Sequence, residues 1–205
     1  MLFKNLNKAF VNPAIVTTLK LNIKTSTLPE EITAFPNLEN LYIQSKKLES
    51  IPDWISDLEK VKIVYINSTM LSGVSENIFK LKSMTSLNLS GGRIQTLYIP
   101  LNASSTLTDI NVSKNLLKKF PQNIQALLML KNLNLSSNEI IDIPREITEL
   151  PELNRLTLDN NGLTNLPHFM HDCPKLNILS IDNNSFSSAE KQRIEAKFGV
   201  SFTAI

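Results

Sequence analysis

Leu130–Glu152 reads LKNLNLSSNEIIDIPREITELPE, and this unit recurs along the chain. Its first part alternates apolar and polar residues from Leu130 and ends in Asn138, which predicts a short strand. Its second part, from Ile143 to Leu150, has the three-to-four spacing of one or two turns of α-helix or 3₁₀-helix. One unit therefore contains one strand and one return, and it has no second surface against which to bury its apolar side chains.

The unit repeats with a constant period. Val16 begins a unit that is one residue shorter than the others, so about eight repeats follow from Val16 onward. Such units bury their apolar faces by stacking, which predicts a solenoid with a parallel sheet on the inner side and the returns on the outer side. The starts that lie 23 residues apart are Leu38, Val61, Met84, Leu107, Leu130, Leu153 and Leu176.

The period and the pattern Leu-x-x-Leu-x-Leu-x-x-Asn-x-Leu are typical of the leucine-rich repeat, and the chain resembles that family over nearly its whole length. Returns such as Ile51-Pro52-x-x-Ile55 look like the short variant common in bacterial and Ras-suppressor-like repeat proteins. The resemblance implies an α/β fold, a right-handed curved horseshoe with a concave parallel sheet. It also implies protein binding, the most frequent role in the family.

We expect one leucine-rich-repeat domain over residues 1–205, with repeats at 16–187 between two caps. In the N-terminal cap, residues 1–15, we predict one helix that places Phe3, Leu6, Ala9 and Phe10 on one face. A targeting signal is the alternative for this segment, but Lys4 and Lys8 interrupt its apolar stretch. In the C-terminal cap, residues 188–205, we predict a helix followed by an edge strand at 200–205.

The charge balance argues against several classes of partner. Twenty-one basic and 19 acidic residues give a net charge of +2, so nucleic acid and anionic membrane surfaces are poor candidates. The sequence shows no signal peptide and no apolar stretch long enough to enter a membrane, which predicts a cytoplasmic protein without membrane insertion. We expect a monomer.

The middle repeats are the least regular. Unit position 9 holds Asn115, Asn138, Asn161 and Asn184 in the last four repeats, and we expect these amides to form a buried ladder. Lys46, Thr69 and Gly92 stand there earlier, so the first half should be looser or should turn outward. The return at 97–104 lacks an apolar residue at Ser104, which predicts a distorted loop with Tyr98 and Ile99 partly exposed. Drift of one repeat and a second binding site are both open readings of this loop.

Residues able to support chemistry are few. Cys173 is the single cysteine and falls at a position that other repeats fill with leucine, so we read it as a core residue. His168, His171 and Asp172 superficially resemble a metal cluster, but His168 aligns with exposed positions. We therefore predict no catalytic residues, no metal and no cofactor, and we expect that the protein is not an enzyme.

A partner would meet the concave side of the sheet, where unit positions 3, 5 and 7 project. Exposed aromatic residues are frequent anchors of interfaces, although cross-strand aromatic pairs also simply stabilise a sheet. The asparagine column at position 5 could bind a peptide backbone or a sugar, or bond only to itself and water. Arg155 with Asp159 and Asp182 resembles a solvated ion pair. The candidate partner-binding residues are Asn40, Tyr42, Ile63, Tyr65, Asn88, Asn111, Asn132, Asn134, Arg155 and Asp159.

Three functional hypotheses follow. The first is a non-enzymatic module that binds a protein or peptide on the concave face. The second is a binder of polysaccharide or of a cell-surface ligand through the polar columns. The third is an effector with ligase activity, in which Cys173 would have to be a reactive thiol.

Overall fold

The alternating apolar residues of each unit form one parallel sheet. The computed structural model describes residues 1–104 and 106–199, and within them nine strands follow one another in chain order, while β4 and β6 pair separately. The strands are β1 (Leu2–Phe3), β2 (Thr18–Ile23), β3 (Asn40–Ser45), β4 (Ser50–Ile51), β5 (Ile63–Ser68), β6 (Gly73–Val74), β7 (Ser86–Asn88), β8 (Asp109–Asn111), β9 (Asn132–Asn134), β10 (Arg155–Thr157) and β11 (Ile178–Ser180).

The register of the sheet follows the sequence period. From β3 onward each residue pairs with the residue one unit further along, as Tyr42 does with Tyr65 and Asn111 with Asn134. Neighbouring strands in a sheet lie about 4.8 Å apart. Residues at the same unit position therefore form columns that run across the strands.

Most returns are 3₁₀ turns on the opposite side of the molecule. Pro52, Pro144 and Pro167 each precede such a turn in an extended conformation, where the missing proline N–H leaves no bond unmade. Apolar residues of strand and return meet in one continuous core, in which Leu133 and Ile147 are buried. The 3₁₀ turns are Pro13–Ile15, Glu30–Ala34, Asp53–Asp57, Glu76–Lys80, Ile124–Ala126, Arg145–Glu149 and His168–Asp172.

Buried asparagines join the later repeats. The Nδ2 group of Asn138 donates to the carbonyl oxygens of Val112 and Leu135, and its Oδ1 atom accepts the N–H of Leu117 at 3.0 Å. Each asparagine thus bonds its own turn and the preceding repeat, which satisfies backbone groups that would otherwise be buried without partners. The same set of bonds is made by Asn115, Asn161 and Asn184.

Of the two expectations for the first half of the sheet, the looser packing was wrong and the outward turn at Lys46 is confirmed. Strands β3 and β5 have six residues each, twice the length of β7 to β10. Lys46 turns outward, and the buried polar residue is the serine one position earlier. The Ser45 hydroxyl oxygen accepts the N–H of Leu48, and Ser68 donates to the Leu48 carbonyl. In these repeats the buried serines therefore satisfy some of the backbone groups that buried asparagines satisfy in the later repeats.

The N-terminal cap differs from the single helix that we predicted. Leu2 and Phe3 form a strand that pairs with β2, helix α1 covers only Leu6–Ala9, and a 3₁₀ turn follows. The side chain of Asn5 accepts the N–H of Lys8 and so fixes where the helix begins. Strand pairing satisfies the backbone of β2 at the open end, which a helix over the same residues would leave unpaired.

The return at 97–104 contains no helical turn, but the predicted exposure of Ile99 was wrong. The segment is extended, and it pairs with the next return through bonds from Ile99 to Gln122 and from Gln122 to Leu97. Extended backbone alternates its side chains, so Ile99 is fully buried while Tyr98 is 45% exposed.

Helix α2 (Ser188–Phe198) lies against the last repeat. The Ser187 side chain accepts the N–H of Glu190, and Gly199 ends the helix at a φ of 64°. Glu190 accepts the N–H of Leu166, and Arg193 bonds both that carboxylate and the Leu166 carbonyl. The strand predicted at 200–205 lies outside the described residues.

Candidate recognition surface

Two tyrosines lie side by side near the N-terminal end of the concave sheet. The ring centroids of Tyr42 and Tyr65 are 6.1 Å apart, and the ring planes meet at 39°. Lys20 places its ammonium group 5.0 Å from the centre of the Tyr42 ring. Both rings are half-buried, and they line a shallow depression of about 320 Å³ together with Gln44 and Asn22.

Ile63 and Asn40 continue this surface at unit position 3. They are register partners on neighbouring strands, and both are half-buried. The Nδ2 group of Asn40 donates to the Thr18 hydroxyl at 3.2 Å. The structure therefore brings Tyr42, Tyr65 and Ile63 together at one end of the sheet, with an apolar edge beside two phenol groups.

The asparagine column in the middle of the sheet has a fixed side-chain orientation. Asn88, Asn111 and Asn134 stand in register, and each Oδ1 atom accepts the backbone N–H of the serine two residues later at 3.0 Å. Among the described residues, none of the three Nδ2 groups has a hydrogen-bond partner. Among the described residues, the asparagines of this column therefore make no hydrogen bonds to one another.

The carboxylates of this face are occupied by neighbouring groups. One Asp109 oxygen accepts from Asn132 and the other accepts from Thr108, both at 2.6 Å. Asp159 accepts from the Ser180 hydroxyl and from the N–H of Asp182.

Arg155 makes no ion pair with any described residue, so the expected ion pair with Asp159 was wrong. Arg155 is the first residue of β10, and Asp159 lies two residues beyond the end of that strand. The Asp159 carboxylate already accepts a hydrogen bond from the N–H of Asp182 in the next repeat. The guanidinium group of Arg155 is exposed at the rim of a depression of about 290 Å³. That depression is lined by Ser86, Leu87, Asn88, Asp109, Ile110, Asn111, Asn132, Leu133, Asn134, Arg155 and Thr157.

Some residues of this surface are not among the predicted partner-binding residues. Lys20 and Gln44 line the tyrosine depression, and Thr157 lines the central one. All three stand in the outward columns at unit positions 5 and 7, so their placement was readable from the period. Their side-chain contacts depend on rotamers, which the period does not determine.

The residues that could suggest chemistry are dispersed or buried. Cys173 is only 8% exposed, and burial raises the pKa of its thiol, with Asp172 adding to the shift. The ring of His171 stacks on Phe198 with centroids 4.0 Å apart. In the described part of the chain there is no cluster of three potential metal ligands, and no helix is long and apolar enough to cross a membrane.

Comparisons place this architecture among known proteins. The leucine rich repeat family model matches residues 129–186, and 425 solved chains resemble the fold. Taken with the 23-residue register that runs through the sheet, these findings show a leucine-rich-repeat fold, and the family match itself covers residues 129–186. No curated protein matches the sequence closely enough to count as a relative.

Three of the similar solved structures follow, two of which are named as receptors. The PEPR1–AtPEP1 structure has 21% identity and a TM-score of 0.69, and the match covers 91% of this chain and 28% of that chain. A TDR receptor has 20% identity and a TM-score of 0.62, with 91% and 38% covered. The plant peptide hormone receptor RGFR1 in complex with RGF2 has 21% identity and a TM-score of 0.51, with 83% and 40% covered.

These likenesses show the fold, and the chain spans less than half the length of each of those chains. The short returns suggested a bacterial protein. These structures do not support that suggestion, since one of the three is named as a plant receptor.

Proposed function

We propose that this protein is a non-enzymatic recognition module that binds a protein or peptide segment on its concave sheet. The observation that carries the proposal is the Tyr42–Tyr65 pair, with rings 6.1 Å apart on two fully paired strands. Half-buried aromatic rings with polar tips lose little conformational entropy on binding, because the sheet already fixes their positions.

The surroundings of the pair fit such a contact. Lys20 and Gln44 add polar groups to the depression that the two rings line, and Ile63 adds an apolar side chain two residues before Tyr65 on the same strand. An apolar centre with a polar rim is the usual arrangement at protein interfaces. One structural neighbour is titled PEPR1-AtPEP1, and another is named as a plant peptide hormone receptor, RGFR1, in complex with RGF2. Their titles support a peptide or protein as the class of partner.

The competing ligase hypothesis requires a reactive thiol. The burial of Cys173 and the raised pKa of its thiol disfavour the thiolate that such chemistry uses. Polysaccharide binding would use hydroxyl and amide groups of the columns and would depend less on the tyrosines.

Selection from a library of linear peptides displayed on phage tests the proposal. Peptides enriched on the wild type should bind the Tyr42→Ala/Tyr65→Ala variant about thirtyfold more weakly, which corresponds to about 2 kcal/mol. Tyr98→Ala is the matched control, because Tyr98 is exposed on a return, away from the concave sheet. Thermal unfolding checks that all variants are folded.

Equal affinity of the selected peptides for the wild type and the double variant would overturn the role of the tyrosines. A wild type that enriches no peptide, but binds glycans on an array with or without the tyrosines, would replace the proposal with the polysaccharide alternative.

A further inference from the structure

The three asparagines of the central column are held so that their donors face outward. In Asn88, Asn111 and Asn134 the Oδ1 atom accepts a backbone N–H from the same strand end at 3.0 Å. The amide group is planar, so the Nδ2 group on its other side must point away from that N–H. The assignment of oxygen and nitrogen is fixed by this bond, because a nitrogen in place of Oδ1 would face another donor.

The outward Nδ2 groups form a row across the sheet. The three residues are register partners on β7, β8 and β9, so the row has the strand spacing of about 4.8 Å. No acceptor among the described residues occupies them. Arg155, on the next strand, lines the same depression and adds an unpaired guanidinium group at its end.

The one carboxylate that lines this surface is already bonded to its neighbours. Asp109 is the single carboxylate that lines the depression, and both of its oxygens accept hydrogen bonds from neighbours. The central concave surface therefore offers a ligand three free amide donor groups and one guanidinium group, while its lining carboxylate is already hydrogen-bonded.

The sequence around this surface carries an excess of positive charge, which also favours an acidic ligand. Between Glu76 and Glu139 the sequence contains seven lysines and arginines but only one carboxylate, that of Asp109. All seven cations lie outside the strands, and an excess of positive charge favours the approach of an anionic partner.

We propose that the middle of the concave face selects an extended acidic peptide segment, whose Asp or Glu carboxylates accept from the Asn88, Asn111 and Asn134 amides and from Arg155. This inference rests on the proposed function and adds to it the chemistry of the partner. Charge-assisted bonds of carboxylates to amide and guanidinium donors are stronger than neutral ones, so acidic segments are preferred over neutral ones.

Substitution of asparagine by aspartate tests the donors without removing the internal bond. Asp keeps the oxygen that accepts the serine N–H, but it replaces the outward donors with a second acceptor and a negative charge. The variants are the single Asn111→Asp and the triple Asn88→Asp/Asn111→Asp/Asn134→Asp. The single variant still tests the inference if the triple variant does not fold. Asn102→Asp is the matched control, because it makes the same charge change on an exposed return.

The same phage-displayed peptide library is selected on each protein. We expect the wild type and Asn102→Asp to enrich peptides rich in Asp and Glu, and we expect at least about tenfold weaker binding of these peptides to Asn111→Asp. Wild-type selection without acidic enrichment, or unchanged affinity in Asn111→Asp, would overturn the inference.

The outcomes separate this inference from the proposed function. Peptides that are lost on Tyr42→Ala/Tyr65→Ala but retained on the aspartate variants leave the proposed function standing and remove the acidic preference. Peptides that are lost only on the aspartate variants support the donor row and contradict the tyrosine anchor. A wild type that enriches no peptide contradicts both.

Discussion

A methyl group on Gly92 would lie 2.9 Å from the Oδ1 atom of Asn115 and 2.7 Å from the carbonyl oxygen of Leu71. Asn115 is the first member of the asparagine ladder, and its Oδ1 atom accepts the N–H of Ile94 in the preceding repeat. The ladder begins at this point because the preceding repeat has no side chain at unit position 9. Gly92 therefore lies at the boundary between the repeats in which a buried serine bonds the backbone and those in which a buried asparagine does so.

Gly92→Ala should lower the free energy of unfolding by about 1–3 kcal/mol, since two oxygen atoms of the surrounding structure must move to admit the methyl group. Urea unfolding measures the effect. Gly162→Ala is the matched control, because its closest contact is the exposed side chain of Ile141 at 3.2 Å. An equal loss in the two variants would show that the approach of Asn115 is unimportant.

Asn138→Ala should lower the free energy of unfolding more than the removal of an asparagine from the concave face. The change leaves the buried N–H of Leu117 without its partner, which costs about 1–3 kcal/mol, and it removes one of the two donors to the Val112 carbonyl. Asn132→Ala removes a single bond, to Asp109, at a partly exposed site and should cost less than about 1 kcal/mol. Urea unfolding of both variants makes the comparison, and similar losses would contradict a structural role for the ladder.

The contact between α2 and the last repeat should depend on pH through Glu190. Hydrogen bonding to Arg193 and to the Leu166 N–H lowers the pKa of the Glu190 carboxyl group against the opposing effect of burial. Its folded pKa lies below its unfolded value, so the stabilisation is fully present above the unfolded pKa of about 4.3. The stabilisation is lost as the pH falls through the lower folded pKa.

Glu190→Gln should therefore be less stable than the wild type at pH 7, with a difference that shrinks toward pH 3. Chemical denaturation at the two pH values measures this, with the exposed Glu195→Gln as the control. A difference of the same size at both values would mean that the charge of Glu190 contributes nothing.

Cys173 should resist alkylation in the native protein. Its thiol is buried and its pKa is raised, so the reactive thiolate is scarce and iodoacetamide reaches it only when the chain opens locally. We expect labelling at pH 8 to be at least about 100-fold slower than in urea-unfolded protein. Native labelling at the unfolded rate would restore the ligase hypothesis.

The sequence period was sufficient to predict the sheet, its register and the outward columns. The period works because each repeat contacts only its neighbours, so one register repeated along the chain defines the whole stack. It failed where a repeat departs from the pattern. The period alone does not distinguish a strand from a helix at Leu2–Phe3, and it could not predict that the extended return would bury Ile99.

The candidate site was predictable in position but not in bonding. Unit positions placed Tyr42 beside Tyr65 and Asn88 beside Asn111. Short side chains at the strand ends, however, choose among several local partners of similar energy. The engagement of Asp159 by Ser180, which leaves Arg155 unpaired, follows from such local choices.

Site-specific photo-cross-linking tests concave-face recognition most directly. A benzophenone amino acid replaces Tyr65 on the concave sheet or, in a second protein, Tyr98 on a return, and each is irradiated with a library-selected peptide. We predict a covalent adduct from position 65 and at most a trace from position 98. Adducts formed mainly from position 98 would contradict the account and would place the partner on the outer surface.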